Sequence, residues 1–225
     1  GYNDAYWGYL YHGIPHITYA VSCPSKYITK EQIPLLKNFK AIGVREQMAV
    51  AKLQTLNINA ILTIDPTLLL NRKTWDELLK KNSPIKKKYI FSYNLSAIKE
   101  LDMLAVILEK RYNLITKSPF KKSGPIEFVN WVYYSEYTLV SSFHGVAFSI
   151  IFHKPFVFFP NYDERDERVL SLLQQLNLKH CIYNGNLNTQ DIPTINWIQV
   201  DEHLEKMKNE SLKFLTSSLT CAPVQ

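Results

Sequence analysis

Short apolar runs alternate with longer stretches of helical period along almost all of this 225-residue chain. Strand-like segments fall at residues 17–22, 41–44, 60–64, 89–94, 114–116, 138–143, 156–159 and 180–183. Between them lie a short helix or turn at 30–37 and helical patterns at 46–56, 74–81, 97–112, 126–135, 145–153 and 167–176. A long amphipathic helix at 201–219 closes the chain. The two classes are told apart by their periods, two residues for a half-buried strand and 3.6 for a helix. In the 46–56 segment Met48, Ala49, Leu53 and Leu56 fall at helical spacing. Thr74 with Glu77 three residues later reads as a capping box, and Pro125 suits the first turn of the 126–135 helix. Connections this short between strand and helix leave little but βαβ units, and therefore parallel sheets covered by helices on both faces.

The alternation is interrupted once. Residues 80–88 are polar, contain Asn82-Ser83-Pro84, and end in Lys86-Lys87-Lys88. This is the expected linker. It divides the chain into a first unit over 1–83, joined by the C-terminal helix at 199–225, and a second unit over 84–198. The fold class expected is α/β, with two Rossmann-like parallel-sheet units. The first residue is Gly1 and the opening segment is rich in aromatics without a clean period, so the first unit is expected to be incomplete.

Composition narrows the chemistry. A net charge of +6 favours anionic ligands or surfaces. No stripe of basic residues interleaved with aromatics stands out, so nucleic acid is not an expected partner. The chain has 7 glycines and lacks both GxGxxG and a P-loop, which removes the usual dinucleotide and triphosphate cradles. It also lacks a GxSxG nucleophile elbow. Cys23, Cys181 and Cys221 are odd in number and far apart, without metal-ligand spacing. They read as reduced thiols, and no metal is expected. There is no apolar run long enough to span a bilayer.

Ser141-Ser142-Phe143-His144-Gly145 carries the functional signal. It stands where a buried strand hands over to an apolar helix. In open α/β sheets that crevice binds ligands, and the backbone N–H groups and dipole of a helix start favour anions there. Ser142 beside His144 could suggest a nucleophile with its base, but no orienting carboxylate is near in sequence. Tyr93 and Asn94 end the first strand of the second unit and are expected to face the same crevice. Asp65 before Pro66 either caps a turn or binds ligand. Arg165 reads as part of a solvated charged helix start. His153 and the aromatics Trp131, Tyr133, Tyr134 and Tyr137 read as structural, and His12, His16, His180 and His203 form no constellation.

Residues 141–156, Ser-Ser-Phe-His-Gly-Val-Ala-Phe-Ser-Ile-Ile-Phe-His-Lys-Pro-Phe, resemble the signature of the polysaccharide pyruvyl transferase family. Val44-Arg45-Glu46, Ile64-Asp65-Pro66-Thr67, Gly124-Pro125-Ile126-Glu127-Phe128 and the Arg168-Val169 with Ser171-Leu172-Leu173 segment resemble four further family blocks, in the same order. The chain departs from the pattern at Ser141, where the family usually has aspartate. It also departs at its N-terminus, where the glycine-rich first strand and helix of full-length members are not found.

The resemblance implies two Rossmann-like domains facing a cleft, as in type B glycosyltransferases. It implies transfer of a pyruvyl group from phosphoenolpyruvate to two hydroxyls of a sugar in a cell-surface glycan precursor, giving a cyclic ketal and phosphate. Phosphoenolpyruvate is then the co-substrate and no cofactor is needed. His144 is the expected general acid, protonated when the donor's anions are bound. Ser142, Gly145, Arg168 and Arg45 are the expected donor-binding residues, the two arginines as bidentate clamps. For Arg45 the alternative is a local salt bridge with Glu46. Asp65, Tyr93 and Asn94 are the candidate acceptor-binding residues, with turn capping the alternative for Asp65. A lipid-linked oligosaccharide acceptor is expected, in a cytoplasmic protein whose basic balance suits peripheral contact with the inner face of the membrane. Two other readings compete: a nucleotide-sugar glycosyltransferase of the same architecture, and a non-catalytic glycan- or phosphate-binding module.

Overall fold

The computed structural model describes residues 16–79, 83–118 and 124–220. His12, Pro119, Cys221 and residues 80–82 of the expected linker lie outside the described residues. The chain forms two compact units, each built on its own parallel sheet.

The first unit takes the residues up to Leu69 and those from Asp201 onward. Strand β1 (His16–Val21) leads through two short 3-10 turns to helix α1 (Ile33–Leu36), strand β2 (Phe39–Val44), helix α2 (Gln47–Thr55), strand β3 (Ile61–Leu62) and helix α3 (Pro66–Leu69). The three strands are parallel in the order β1-β2-β3. Ala49, Val50 and Leu53 of α2 are buried in a cluster with Ile42 and Val44 of β2. Met48, grouped with the apolar face by spacing, is 58% exposed instead.

The second unit spans Leu70–Val200. Its elements are α4 (Arg72–Asp76), β4 (Tyr89–Tyr93), α5 (Lys99–Tyr112), β5 (Ile115–Lys117), α6 (Pro125–Tyr134), β6 (Tyr137–Val140), α7 (Phe143–Ile151), β7 (Phe156–Phe158) and α8 (Glu167–Gln175). The last helix, α9 (Trp197–Thr220), starts here, and its residues from Asp201 belong to the first unit. There Ser211 Oγ accepts from the Ile64 N–H at 3.0 Å, and Lys40 Nζ donates to the Ser218 carbonyl at 2.8 Å. The Phe214 ring lies close enough to Gly43 that a Cβ on Gly43 would meet it at 2.8 Å.

Three expectations shift. The division falls after Leu69 rather than at Pro84. The reason is Trp75 of α4, whose ring packs edge-on against Phe148 of α7 at 4.9 Å between centroids. That helix runs over Arg72–Asp76 with Asn71 as its cap, accepting from the Thr74 N–H at 2.9 Å. Thr74 is therefore a third-position residue, because Asn is at least as good a cap as Thr and stands one turn earlier. The strand expected at 180–183 is instead a 3-10 turn, Lys179–Cys181, with one parallel bridge from Ile182 to Phe158.

The second sheet is parallel in the order β5-β4-β6-β7. Its strands alternate as the period requires. Ile90 of β4 and Leu139 of β6 point to one face, where they pack with Leu101, Leu104 and Leu108 of α5. Tyr89 and Phe91 point to the other, edge-on to Trp131 and Phe128 of α6. The chain leaves β4 toward β5 on one side and returns as β6 on the other. The β4–β6 boundary is thus the point where strand order reverses, the place where open α/β sheets hold ligands.

Candidate functional site

Register sets the site. Tyr93 pairs with Val140, so β4 and β6 end side by side and the residues following each strand emerge together. A cavity of about 1030 Å³ opens at these ends. Tyr93 and Asn94 line it after β4, Ser142, Phe143 and His144 after β6, and Arg168 from α8. The segment Gly124-Pro125-Ile126 at the start of α6 forms another wall. Pro125 is the first residue of α6, where its missing N–H leaves nothing unsatisfied.

The Ser-Phe-His-Gly turn differs from the expected one in where its helix begins. Helix α7 starts at Phe143, not at Gly145. Ser142 is its cap, its Oγ accepting from the Gly145 N–H at 3.0 Å. That N–H is therefore committed to the cap. Gly145 itself is required by packing, since a Cβ there would lie 2.8 Å from Cβ and Cγ1 of Val140, closer than van der Waals contact allows. His144 is the second helical residue and its side chain is exposed to the cavity.

Phe143 is buried, and the His144 imidazole and the Arg168 guanidinium both lie against it. The His144 ring lies edge-on to it at 5.5 Å. The Arg168 guanidinium lies over its ring at 5.6 Å, which holds the cation in place by the ring's negative face.

The turn is braced from behind. Ser141 is buried, and its Oγ accepts from the Leu95 N–H at 2.9 Å, tying the loop after β4 to the loop after β6. Asn161, after β7, donates to the buried carboxylate of Asp166 at 3.0 Å, and the Tyr162 N–H donates to the same carboxylate at 2.7 Å. Within α7, Ser149 Oγ donates to the Gly145 carbonyl at 2.7 Å and pairs with Thr138 Oγ1 at 2.6 Å. Both hydroxyls are buried and both are satisfied, as burial of polar groups demands.

Asn94 lines the cavity, but its hydrogen bonds are spent locally. Its Oδ1 accepts from the Ile98 N–H at 2.9 Å, and its Nδ2 donates to the Ile98 carbonyl at 2.9 Å and to Asp102 at 3.1 Å. Both donors and the acceptor of the amide are thereby engaged. Asp102 and Trp75, which no sequence signal singles out, also line the cavity, as do Phe128 and Phe148 from two of the family blocks. Only the Gly-Pro start of α6 hints at this wall in the sequence.

Arg45 and Asp65 lie in the first unit, and they pair with each other. Asp65 is 6% exposed and also accepts from the Thr67 N–H at 2.9 Å, capping α3. Glu46 is buried and turns back to β1, accepting from Ser22 Oγ at 2.6 Å and the Cys23 N–H at 3.2 Å.

Among the described residues the other histidines and cysteines do not line the cavity. His153 stacks on Trp197 at 4.8 Å. Burial pushes the Cys181 thiol up to about 12, which makes it inert. Arg165 pairs with its neighbour Asp163 at 2.6 Å and is solvated, as expected. Among the described residues no helix is long and apolar enough to cross a membrane.

A model of the polysaccharide pyruvyl transferase family matches residues 4–164, well over half of the chain. No curated protein matches the chain significantly. The matched span contains four of the five recognisable blocks, His144 and most of the cavity wall, and stops short of Arg168. With its two parallel-sheet units and its Ser-Phe-His-Gly turn at the strand-order reversal, the chain belongs to the polysaccharide pyruvyl transferase family.

Proposed function

We propose that this chain transfers the pyruvyl group of phosphoenolpyruvate to two hydroxyls of one sugar in a polysaccharide or lipid-linked glycan precursor. The observation that carries the reading is the placement of the His144 ring and the Arg168 guanidinium on the wall of one cavity, both against Phe143. The donor has a phosphate and a carboxylate, and Arg168 can hold either in bidentate fashion.

The chemistry divides into two steps. A sugar hydroxyl oxygen bonds to C2 of the donor as the C2=C3 π bond breaks; His144 delivers a proton to the C3 methylene, which becomes a methyl group, and the proton lost by that hydroxyl restores the histidine. A histidine is suited to this transfer near neutral pH. The second hydroxyl then bonds to C2 as the C2–O bond to phosphate breaks. Its proton leaves with the phosphate, and the cyclic ketal remains. Ser142 and Gly145 serve by shaping the turn: the cap fixes the start of α7, and the missing Cβ lets α7 pack on β6.

The test is glycan-dependent release of phosphate from phosphoenolpyruvate, together with a new ketal methyl singlet in the proton NMR spectrum of the product. Both signals are expected. Release of a nucleotide from a sugar nucleotide, with no phosphate from phosphoenolpyruvate, would replace this reading with that of a glycosyltransferase.

A further inference from the structure

The cavity is larger than phosphoenolpyruvate fills, and its walls differ in chemistry. Pockets of roughly 300–1,000 Å³ take up a drug-sized ligand, and this one measures about 1030 Å³. Arg168 puts a cation on one wall, beside the His144 ring. The loop after β4 and the first turn of α5 carry a carboxylate, Asp102, exposed and held by the Asn94 amide at 3.1 Å. Among the described residues Asp102 has no cationic partner. A carboxylate repels both anionic groups of the donor, so this side of the cavity suits a neutral ligand that donates hydrogen bonds.

The surface between is aromatic. The Tyr93 and Phe128 rings lie 4.7 Å apart, Phe128 and Phe148 6.1 Å, and Phe148 and Trp75 4.9 Å. Tyr93, Phe128 and Trp75 are all partly exposed. A pyranose offers the matching pattern, an apolar C–H face to bury against rings and hydroxyls at its rim to donate to a carboxylate.

We infer that Asp102 and the Tyr93–Phe128–Trp75 wall form the acceptor-sugar subsite, with Asp102 as the residue that selects the acceptor by accepting hydrogen bonds from its hydroxyls. The inference rests on the pyruvyl-transfer reading for what the bound sugar is used for, but sugar binding is measured without that chemistry. Asn94 acts through Asp102 as its positioning residue, which accounts for an amide that lines the cavity with its own hydrogen bonds spent.

The experiment uses the full chain and a set of methyl glycosides with free 4- and 6-hydroxyls, read by saturation-transfer NMR, alongside calorimetric titration of phosphoenolpyruvate. At least one glycoside is expected to bind the wild-type chain. Asp102→Ala and Asp102→Asn are expected to weaken it roughly 10- to 100-fold, the range for a hydrogen bond to a charged group, with donor affinity unchanged. Unchanged glycoside affinity in both variants overturns the inference. So does the absence of any glycoside binding to wild type, or parallel loss of glycoside and donor binding. If glycosides bind through Asp102 but no phosphate is released from phosphoenolpyruvate with any glycan, the pyruvyl-transfer reading fails and the subsite stands.

Discussion

Two strand-to-helix turns of this molecule look alike in sequence and differ in what their charges do. In the first unit Val44-Arg45-Glu46 ends β2 and opens α2. In the second, residues 140–144 end β6 and open α7. Each places an ionisable side chain at the C-terminal end of a parallel strand, the position that favours function. At the first turn both charges are consumed within the unit: Arg45 pairs with the buried Asp65, and Glu46 accepts from Ser22 and Cys23. At the second, the Gly145 N–H and Ser142 are committed to the cap, while His144 is exposed on the wall of a cavity that Arg168 also lines. Position at a strand end therefore marks a candidate, and what separates the two turns is where the side chain ends up, in a buried ion pair at the first and exposed on a cavity wall at the second.

The comparison can be broken most directly at His144. His144→Asn is expected to lower kcat for pyruvyl transfer by roughly 10²–10⁴, the contribution of a positioned general acid. Its thermal midpoint should move little, since the ring is exposed. A loss of folding with no loss of specific activity would make this turn as architectural as the first.

The converse holds for Asp65→Asn. Removing one partner of a buried ion pair strands the other, at a cost of about 3 kcal/mol, and also weakens the cap on α3. Denaturant unfolding should show that loss while the folded fraction keeps its turnover. Lost turnover at full stability would instead assign Asp65 to substrate.

A finer test lies at Arg168. Arg168→Lys keeps the charge but not the planar fork. The Michaelis constant for phosphoenolpyruvate is expected to rise by roughly 10-fold or more as a charge-assisted hydrogen bond is lost. An equal rise for the acceptor alone would move this arginine to the other side of the cavity.

The smallest effect is expected at Ser142. Ser142→Ala removes the cap from the Gly145 N–H and should cost about 1 kcal/mol in chemical denaturation, with a modest change in activity as the start of α7 loosens. Activity lost far beyond that would give the Ser142 hydroxyl a direct role with the donor.

Much of the fold was legible because its signals are local. The periods of 2 and 3.6 placed most strands and helices within a few residues, and the order of elements dictated parallel sheets. Errors arose where a local signal had a stronger neighbour. Asn71 took the cap assigned to Thr74 because the side chain one turn earlier was equally suited. The stretch at 180–183 reads as a strand by composition but closes as a 3-10 turn with a single bridge to β7. Gly145 looked like an opening for ligand, and its reason proved to be Val140 beneath it. The unit boundary followed the Trp75 ring to Phe148 rather than the proline, since burial of an aromatic outweighs the preference of a loop residue for a linker.

By itself the sequence determined the α/β class, the two sheets, and a histidine at the end of β6, because period, connection length and chain order are properties of consecutive residues. The tertiary structure alone decided that β4 lies beside β6, and so which residues meet at the strand ends. It decided that Arg45 is spent on Asp65, that Asn94 is spent on Ile98 and Asp102, and that Asp102 and Trp75 share a cavity with His144. Such pairings join residues tens of positions apart, and they depend on strand order and register, which no local pattern encodes.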